Sequence, residues 1–208
     1  MSLKKRKFST IQRAHFDQKP AIIKVYRNTP YGRLRWLLAY AAASHIRRCG
    51  IPAPELLFGG WAPEWRAYVL IYRHIQGDTL RWLRRESNEA AQTSILKRVT
   101  ELLALMHSNG VVQRDTNLGN FLDTGSQILA LDEDRMTCLP WQAGRHRSLR
   151  NLASLLSRIS PVSSTTAGAL YQHYRKARGW ADRPGDRDDL ASLIQHLHSR
   201  RQRRKKRG

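Results

Sequence analysis

Residues 111–122 read Val111-Val112-Gln113-Arg114-Asp115-Thr116-Asn117-Leu118-Gly119-Asn120-Phe121-Leu122. An Asp and an Asn five residues apart stand in a loop, directly after a long helical pattern. In Asn88 to Asn109 the apolar residues Ile95, Val99, Leu102, Leu103 and Met106 recur at three- and four-residue spacing, and Gly110 sits where a C-cap belongs. Twelve residues past Asn120, the apolar run Ile128 to Leu131 ends in Asp132-Glu133-Asp134-Arg135. The spacing predicts a helix, a short strand at Val111-Val112, a loop, and a second strand that delivers an acidic turn.

Two carboxylates and an amide in this order match what phosphoryl transfer from ATP needs. One carboxylate must orient the acceptor hydroxyl, a role for Asp115. An amide oxygen and a second carboxylate, Asn120 and Asp132, must hold Mg²⁺ across the phosphates, since a hard cation takes oxygen ligands. Asp and Asn also cap turns, which is the plainer use of the same residues.

Outward on the N-terminal side, residues 1–7 form a basic arm. Phe8 to Tyr26 reads as a hairpin turning near Asp17-Gln18-Lys19-Pro20 into the strand Ala21-Ile22-Ile23-Lys24-Val25-Tyr26. Arg33 to Arg48 reads as a helix with Leu34, Leu37, Leu38, Ala41 and His45 on one stripe, stopped by Gly50 and Pro52. Ala67 to Tyr72 is a buried strand, and Gly77-Asp78 opens a short helix from Thr79 to Arg85. Past the acidic turn the chain reads as helical: Leu149 to Ile159, Thr165 to Arg178, and Asp186 to about Gln202. Strands and one helix followed by a mostly helical half describe an α+β chain of two lobes divided near Gln76.

The 208 residues carry a net charge of +21. Lys4–Lys7 contributes four cations and Arg200–Arg207 seven, with no acid in either run, which leaves +10 on the rest. A polyanionic partner follows: nucleic acid, an anionic membrane surface or a phosphorylated glycan. Cys49 and Cys138 are the two cysteines, far apart in sequence and consistent with thiols in a reducing compartment. No apolar run reaches the roughly 20 residues of a membrane span, and no signal-peptide core follows the first cations. A soluble, cytoplasmic protein is expected. The six tryptophans are scattered and read as core or lobe packing, and His107 reads as structural.

The loop and turn together resemble the catalytic loop and metal-binding turn of the protein-kinase-like superfamily. More closely, the chain resembles the bacterial lipopolysaccharide core kinases, the Kdo and heptose kinase family. The likeness rests on the Ile-Lys-Val-Tyr-Arg strand, Gly50-Ile51-Pro52-Ala53-Pro54, and a hinge-like Leu70-Ile71-Tyr72 leading to Gly77. The Asp-x-Asn-x-x-Asn loop, the Asp-x-Asp-Arg turn and Arg150-Asn151-Leu152-Ala153-Ser154-Leu155-Leu156 complete it. The resemblance covers about residues 20–160. It implies a two-lobed protein-kinase-like fold with a truncated N-lobe (1–76) and a mostly helical C-lobe (77–208). It further implies an ATP- and Mg²⁺-dependent transfer to a sugar hydroxyl of lipopolysaccharide core or a related anionic glycolipid. Asp115 is then the catalytic Asp, Asn120 and Asp132 the metal ligands, and Lys24 the phosphate lysine. Tyr72, Arg73, His74 and Ile75 would hold adenine through their backbone, and Asn117 stands where protein kinases carry Lys. Work at the inner membrane's cytoplasmic face, with arm and tail on anionic lipid, is the matching location.

Three departures stand out. Residues 1–20 contain no glycine, so a Gly-rich phosphate loop is missing. No acid lies between Lys24 and Glu55, and Ala39 falls where the superfamily's lysine-pairing glutamate belongs, so Lys24 is left to ATP and metal, to Glu55 or to Asp132. Gln113-Arg114 replaces the usual His-Gly before Asp115, and Gln113 can still bond the backbone. The segment after Asp132 is short and lacks Ala-Pro-Glu, which favours a small or glycan acceptor over a peptide. The short chain and Arg/Lys-rich tail also resemble the small atypical kinase of the tRNA-modifying KEOPS complex, a nucleic-acid alternative; a non-catalytic pseudokinase module is the third.

Overall fold

The computed structural model describes residues 2–5, 9–84, 88–159 and 163–205. An antiparallel five-stranded sheet begins the chain: β1 (Ser2–Lys5), β2 (Ser9–Phe16), β3 (Lys19–Arg27), β4 (Leu56–Ala62) and β5 (Ala67–Arg73), in the order β1-β2-β3-β5-β4. Four residues of the expected basic arm are thus a strand on β2; Arg6, Lys7 and Phe8 lie outside the described residues. The β2–β3 turn is the two residues Asp17 and Gln18, both with positive φ (49° and 59°), the left-handed twist that a tight hairpin requires. β3 lies between β2 and β5, with Lys24 opposite Ile11 and Leu70.

Helix α1 (Pro30–Arg48) starts three residues before its sequence pattern, because Thr29 accepts from the Gly32 amide and Pro30 fills the first turn. Its orientation overturns the expected stripe. Ala39, Ala42, Ala43 and Ile46 face inward, whereas Leu34, Leu37 and Leu38 are 52%, 53% and 50% exposed. Small residues let the helix axis come close to β3 and β5, where Ala39 and Ala43 pack with Tyr26, Leu70 and Tyr72. The leucines are left on the other side.

The second lobe opens differently from its pattern. Asp78–Thr79 is a short strand, β6, and Leu80–Arg84 turns into 3₁₀ helix; Arg85, the expected helix end, lies outside the described residues. Helix α2 (Glu89–Ser108) follows, capped by the Asn88 side chain on the Ala90 and Ala91 amides and closed by Gly110 at φ 72°. A Cβ on Gly110 would stand 2.5 Å from two backbone oxygens, those of Leu139 and Trp141. Then come β7 (Val111–Gln113), β8 (Phe121–Asp123), β9 (Ile128–Ala130) and β10 (Met136–Cys138). β7 pairs with β10, and β8 joins β6 to β9.

Helices α3 (Arg145–Leu156), α4 (Ser164–Ala177) and α5 (Asp186–Lys205) complete the chain; α3 begins four residues earlier than its apolar pattern. One core joins α2, α3, α4 and the short strands, centred on Leu96, Val99, Leu103, Met106, Leu152 and Leu170. Burying each such side chain contributes about 1.5–3 kcal/mol, which makes this lobe the rigid base for the loops above it. The tryptophans divide. Trp36, Trp82 and Trp180 are half-buried, but Trp61, Trp65 and Trp141 are exposed, against the core role expected for most of them. Trp61 lies on β4, the sheet's edge strand, with a ring contact to Tyr68 beside it. Both cysteines are free. Among the described residues no helix is long and apolar enough to cross a membrane.

Candidate active site

The β-sheet lobe and the helical lobe enclose a cleft of about 570 Å³. Lys24 enters it from β3, Tyr72, Arg73, His74 and Ile75 from the end of β5, Asn120 from the loop after β7, and Asp132 from the turn after β9. Seven of the nine residues singled out in the sequence therefore share one cavity. The other two, Asp115 and Asn117, belong to the same loop as Asn120 but are not part of the cavity wall.

The loop is braced by its own backbone. Asn117 accepts from the Gly119 amide and so caps the 3₁₀ turn 118–120. Asn120 Nδ2 donates to the Asp115 carbonyl at 2.8 Å, which leaves the amide oxygen as the end able to meet a cation. The Leu131 amide donates to the Asn120 carbonyl at 2.8 Å, tying the loop to the residue before Asp132. Gln113 Nε2 reaches both the Asp115 and Leu131 carbonyls at 3.3 Å. Asp132 is in the left-handed region (φ 71°, ψ 55°), a conformation that costs a non-glycine residue energy and tends to mark functional turns.

Lys24, 8% exposed, is held by this turn. Its Nζ lies 3.0 Å from Glu133 Oε2, 3.5 Å from Asp132 Oδ1 and 3.8 Å from Asp134 Oδ1, with the Tyr72 ring centroid at 5.3 Å. Burial alone would lower its pKa, but Glu133, Tyr72 and Asp132 outweigh burial and hold it well above the ordinary lysine value. Glu55, one of the partners open to Lys24 on sequence, instead pairs with Arg73 on the surface at 2.8 Å. Asp134 is taken from the other side by Arg35 of α1, whose Nη2 lies 2.8 Å from both Oδ2 and the backbone oxygen. The charge order of the expected pair is thus inverted: α1 supplies the cation and the turn after β9 supplies the acids.

Among the described residues no three His, Cys, Asp or Glu side chains form a ready-made metal cage. One or two carboxylates plus an amide oxygen is a donor set for a small hard cation that completes its shell with phosphate oxygens and water. The residues present fit that group.

Asp115 faces a cation from outside the cleft: Arg158 Nη2 donates to its Oδ1 at 2.8 Å. Behind the loop, His107 is fully buried between Tyr174 (Nδ1 to OH, 2.7 Å) and Asn151 (Nε2 to Oδ1, 2.9 Å). Asn151 Nδ2 in turn donates to the Gln113 carbonyl at 2.6 Å. That bond orients the Asn151 amide, so its Oδ1 must accept from His107 Nε2 and Nδ1 must accept from Tyr174. Burial, with Arg178 adding repulsion, pushes the His107 pKa down to about 4, so the ring is a neutral strut under β7.

Sequence reasoning missed Glu133, Arg35 and Arg158. The only trace of the first two was a paired anomaly: an acid-free stretch from Lys24 to Glu55 and three consecutive acids after β9. Arg158 left none, because its partner is 43 residues away.

No protein-family model matches the chain, and no curated protein does. The fold is a two-lobed, mixed α+β fold of the protein-kinase-like kind. It is similar to the solved structure described as WaaP in complex with acyl carrier protein, at a TM-score of 0.68 and 15% identity, over 97% of this chain and 87% of that one.

Proposed function

We propose that the chain is an ATP- and Mg²⁺-dependent phosphotransferase acting on a sugar hydroxyl of lipopolysaccharide core or a related anionic glycolipid. The observation that carries the reading is the convergence of Lys24, Asn120 and Asp132, from three distant segments, on one cleft whose loop also bears Asp115. The fold it shares with WaaP and the ordered motifs of the core kinases support the substrate class.

Lys24 binds phosphate oxygens of the nucleotide from the sheet side. Asp132 and Asn120 would hold Mg²⁺, which would supply positive charge to offset the negative charge developing on the transferred group. Asp115 orients the acceptor hydroxyl and accepts its proton, and Arg158 holds the Asp115 carboxylate in place. The cleft wall from Tyr72 to Ile75 receives the adenine. Two of its amides are engaged, Arg73 N–H with the Glu55 carbonyl and His74 N–H with the Pro20 carbonyl, so the base would draw on the backbone of His74 and Ile75 beyond the strand.

The test is direct. ATP should bind with Mg²⁺ and lose affinity in Asp132→Ala, and purified core glycolipid should be phosphorylated by the wild type but not by Asp115→Ala. Binding of ATP that is indifferent to Mg²⁺ and to Asp132 would remove the reading.

A further inference from the structure

The leucines displaced from the core raise a question of their own. At 100° per residue, Leu37, Ala41, Leu34 and Leu38 occupy an arc of about 100° on α1, and all four are exposed. A stripe of that width is what a helix buries, yet this one already buries its opposite face against the sheet. Contiguous apolar surface of this kind marks a contact.

Its surroundings say with what. Helix α1 contains no Asp or Glu at all. Arg33, Arg47 and Arg48 are exposed along its edge and end, and Arg135, on the turn packed beside it, is exposed too. At the C-terminal end, His45 Nε2 meets the Asn109 carbonyl at 3.0 Å, and the next residue, Gly110, abuts the backbone of Leu139 and Trp141. Trp141, 69% exposed, is the most exposed large apolar side chain among the described residues. An apolar helix face rimmed by arginine and ended by tryptophan is the pattern of a surface that lies in a membrane interface, cations on anionic headgroups and rings at the headgroup level.

We infer that the outward face of α1, with Trp141 at its end, docks the protein on an anionic lipid bilayer. Arg35, the neighbour of Leu34, bonds Asp134 at 2.8 Å, so the docked face and the metal turn are separated by little more than a helix diameter. That closeness suits an acceptor rooted in the bilayer, and to this extent the inference rests on the reading above. A second copy of the chain or an acidic protein would leave a different record.

The probe is a vesicle of phosphatidylglycerol and phosphatidylethanolamine, with phosphatidylcholine vesicles as control and no nucleotide present. Wild-type protein should co-sediment with the anionic vesicles and keep a salt-resistant fraction that screening of surface charges cannot remove. The variant Leu34→Gln/Leu37→Gln/Leu38→Gln should bind at least about tenfold more weakly, with unchanged melting temperature. Trp141→Phe should lose most of the quenching by brominated lipid, and Leu34→Phe/Leu37→Phe/Leu38→Phe should bind as tightly as wild type or tighter. Equal binding by wild type and the glutamine variant would overturn the proposal and assign lipid to the basic tail. So would a dimer, or capture of an acidic protein, that the glutamine variant abolishes without vesicle binding in the wild type. Because no ATP is used, failure here and failure of the phosphotransferase reading are separate results.

Discussion

Lys24 and Glu133 are 109 residues apart in the chain, and their charged atoms are 3.0 Å apart in the fold. Both are buried, so the pair ties β3 to the turn after β9 across the cleft.

Replacing Glu133 by Gln keeps the shape and removes the nearest negative charge from a buried ammonium. Breaking one side of a buried pair costs about 3–5 kcal/mol; Asp132 and Asp134 remain nearby, so the lower end is expected. Thermal unfolding should show it, and ATP titration should show affinity reduced about tenfold. Glu55→Gln, which breaks only the exposed pair with Arg73, should change stability by less than about 1 kcal/mol. Equal effects of the two variants would refute the assignment of Glu133.

Arg35 and Asp134 should behave as a coupled pair. Arg35→Met and Asp134→Asn, measured singly and together by denaturant unfolding, should give an interaction energy of about 1–3 kcal/mol. Additive effects would mean that the 2.8 Å contact contributes nothing.

Arg158→Ala should lower kcat about tenfold or more, with nucleotide affinity unchanged, because it loosens Asp115 and is not itself among the residues lining the cleft. The pair is partly exposed, so stability should change by less than about 1 kcal/mol. A rise in KM for ATP with kcat intact would contradict this placement.

His107 sets an acid-stability window. Its pKa is about 4 in the fold against 6.5 as a free side chain. Above pH 6.5 neither state is protonated. Between 6.5 and about 4 the unfolded chain takes up a proton that the folded one does not, so stability falls as pH falls, by about 3 kcal/mol in total. The melting temperature of His107→Gln should fall less steeply over that interval than that of the wild type. Parallel slopes would place the acid sensitivity elsewhere.

Periodicity made α2 legible, since five apolar residues at helical spacing have one arrangement that buries them. It misread α1 for a physical reason. That helix carries two apolar stripes, one of leucine and one of alanine, and spacing cannot tell which meets the sheet. Closeness of approach decided for the alanines. Strands β6, β8 and β10, two or three residues each, are too short to show a two-residue period. Type and local spacing single out Asn120 and Asp132, family resemblance singles out Lys24, and the fold brings all three to one cleft. Glu133, Arg35 and Arg158 could not be picked out, because each acquires its role from a residue 43 to 109 positions away.

In kinases that pair the phosphate lysine with a glutamate on the neighbouring helix, swinging that helix away uncouples the lysine and silences the site. Here the carboxylate nearest the lysine, Glu133, lies on the turn after β9 and not on α1, which reaches that turn through Arg35 on Asp134. Because α1 contains no Asp or Glu, moving it would carry off no acidic partner of the lysine.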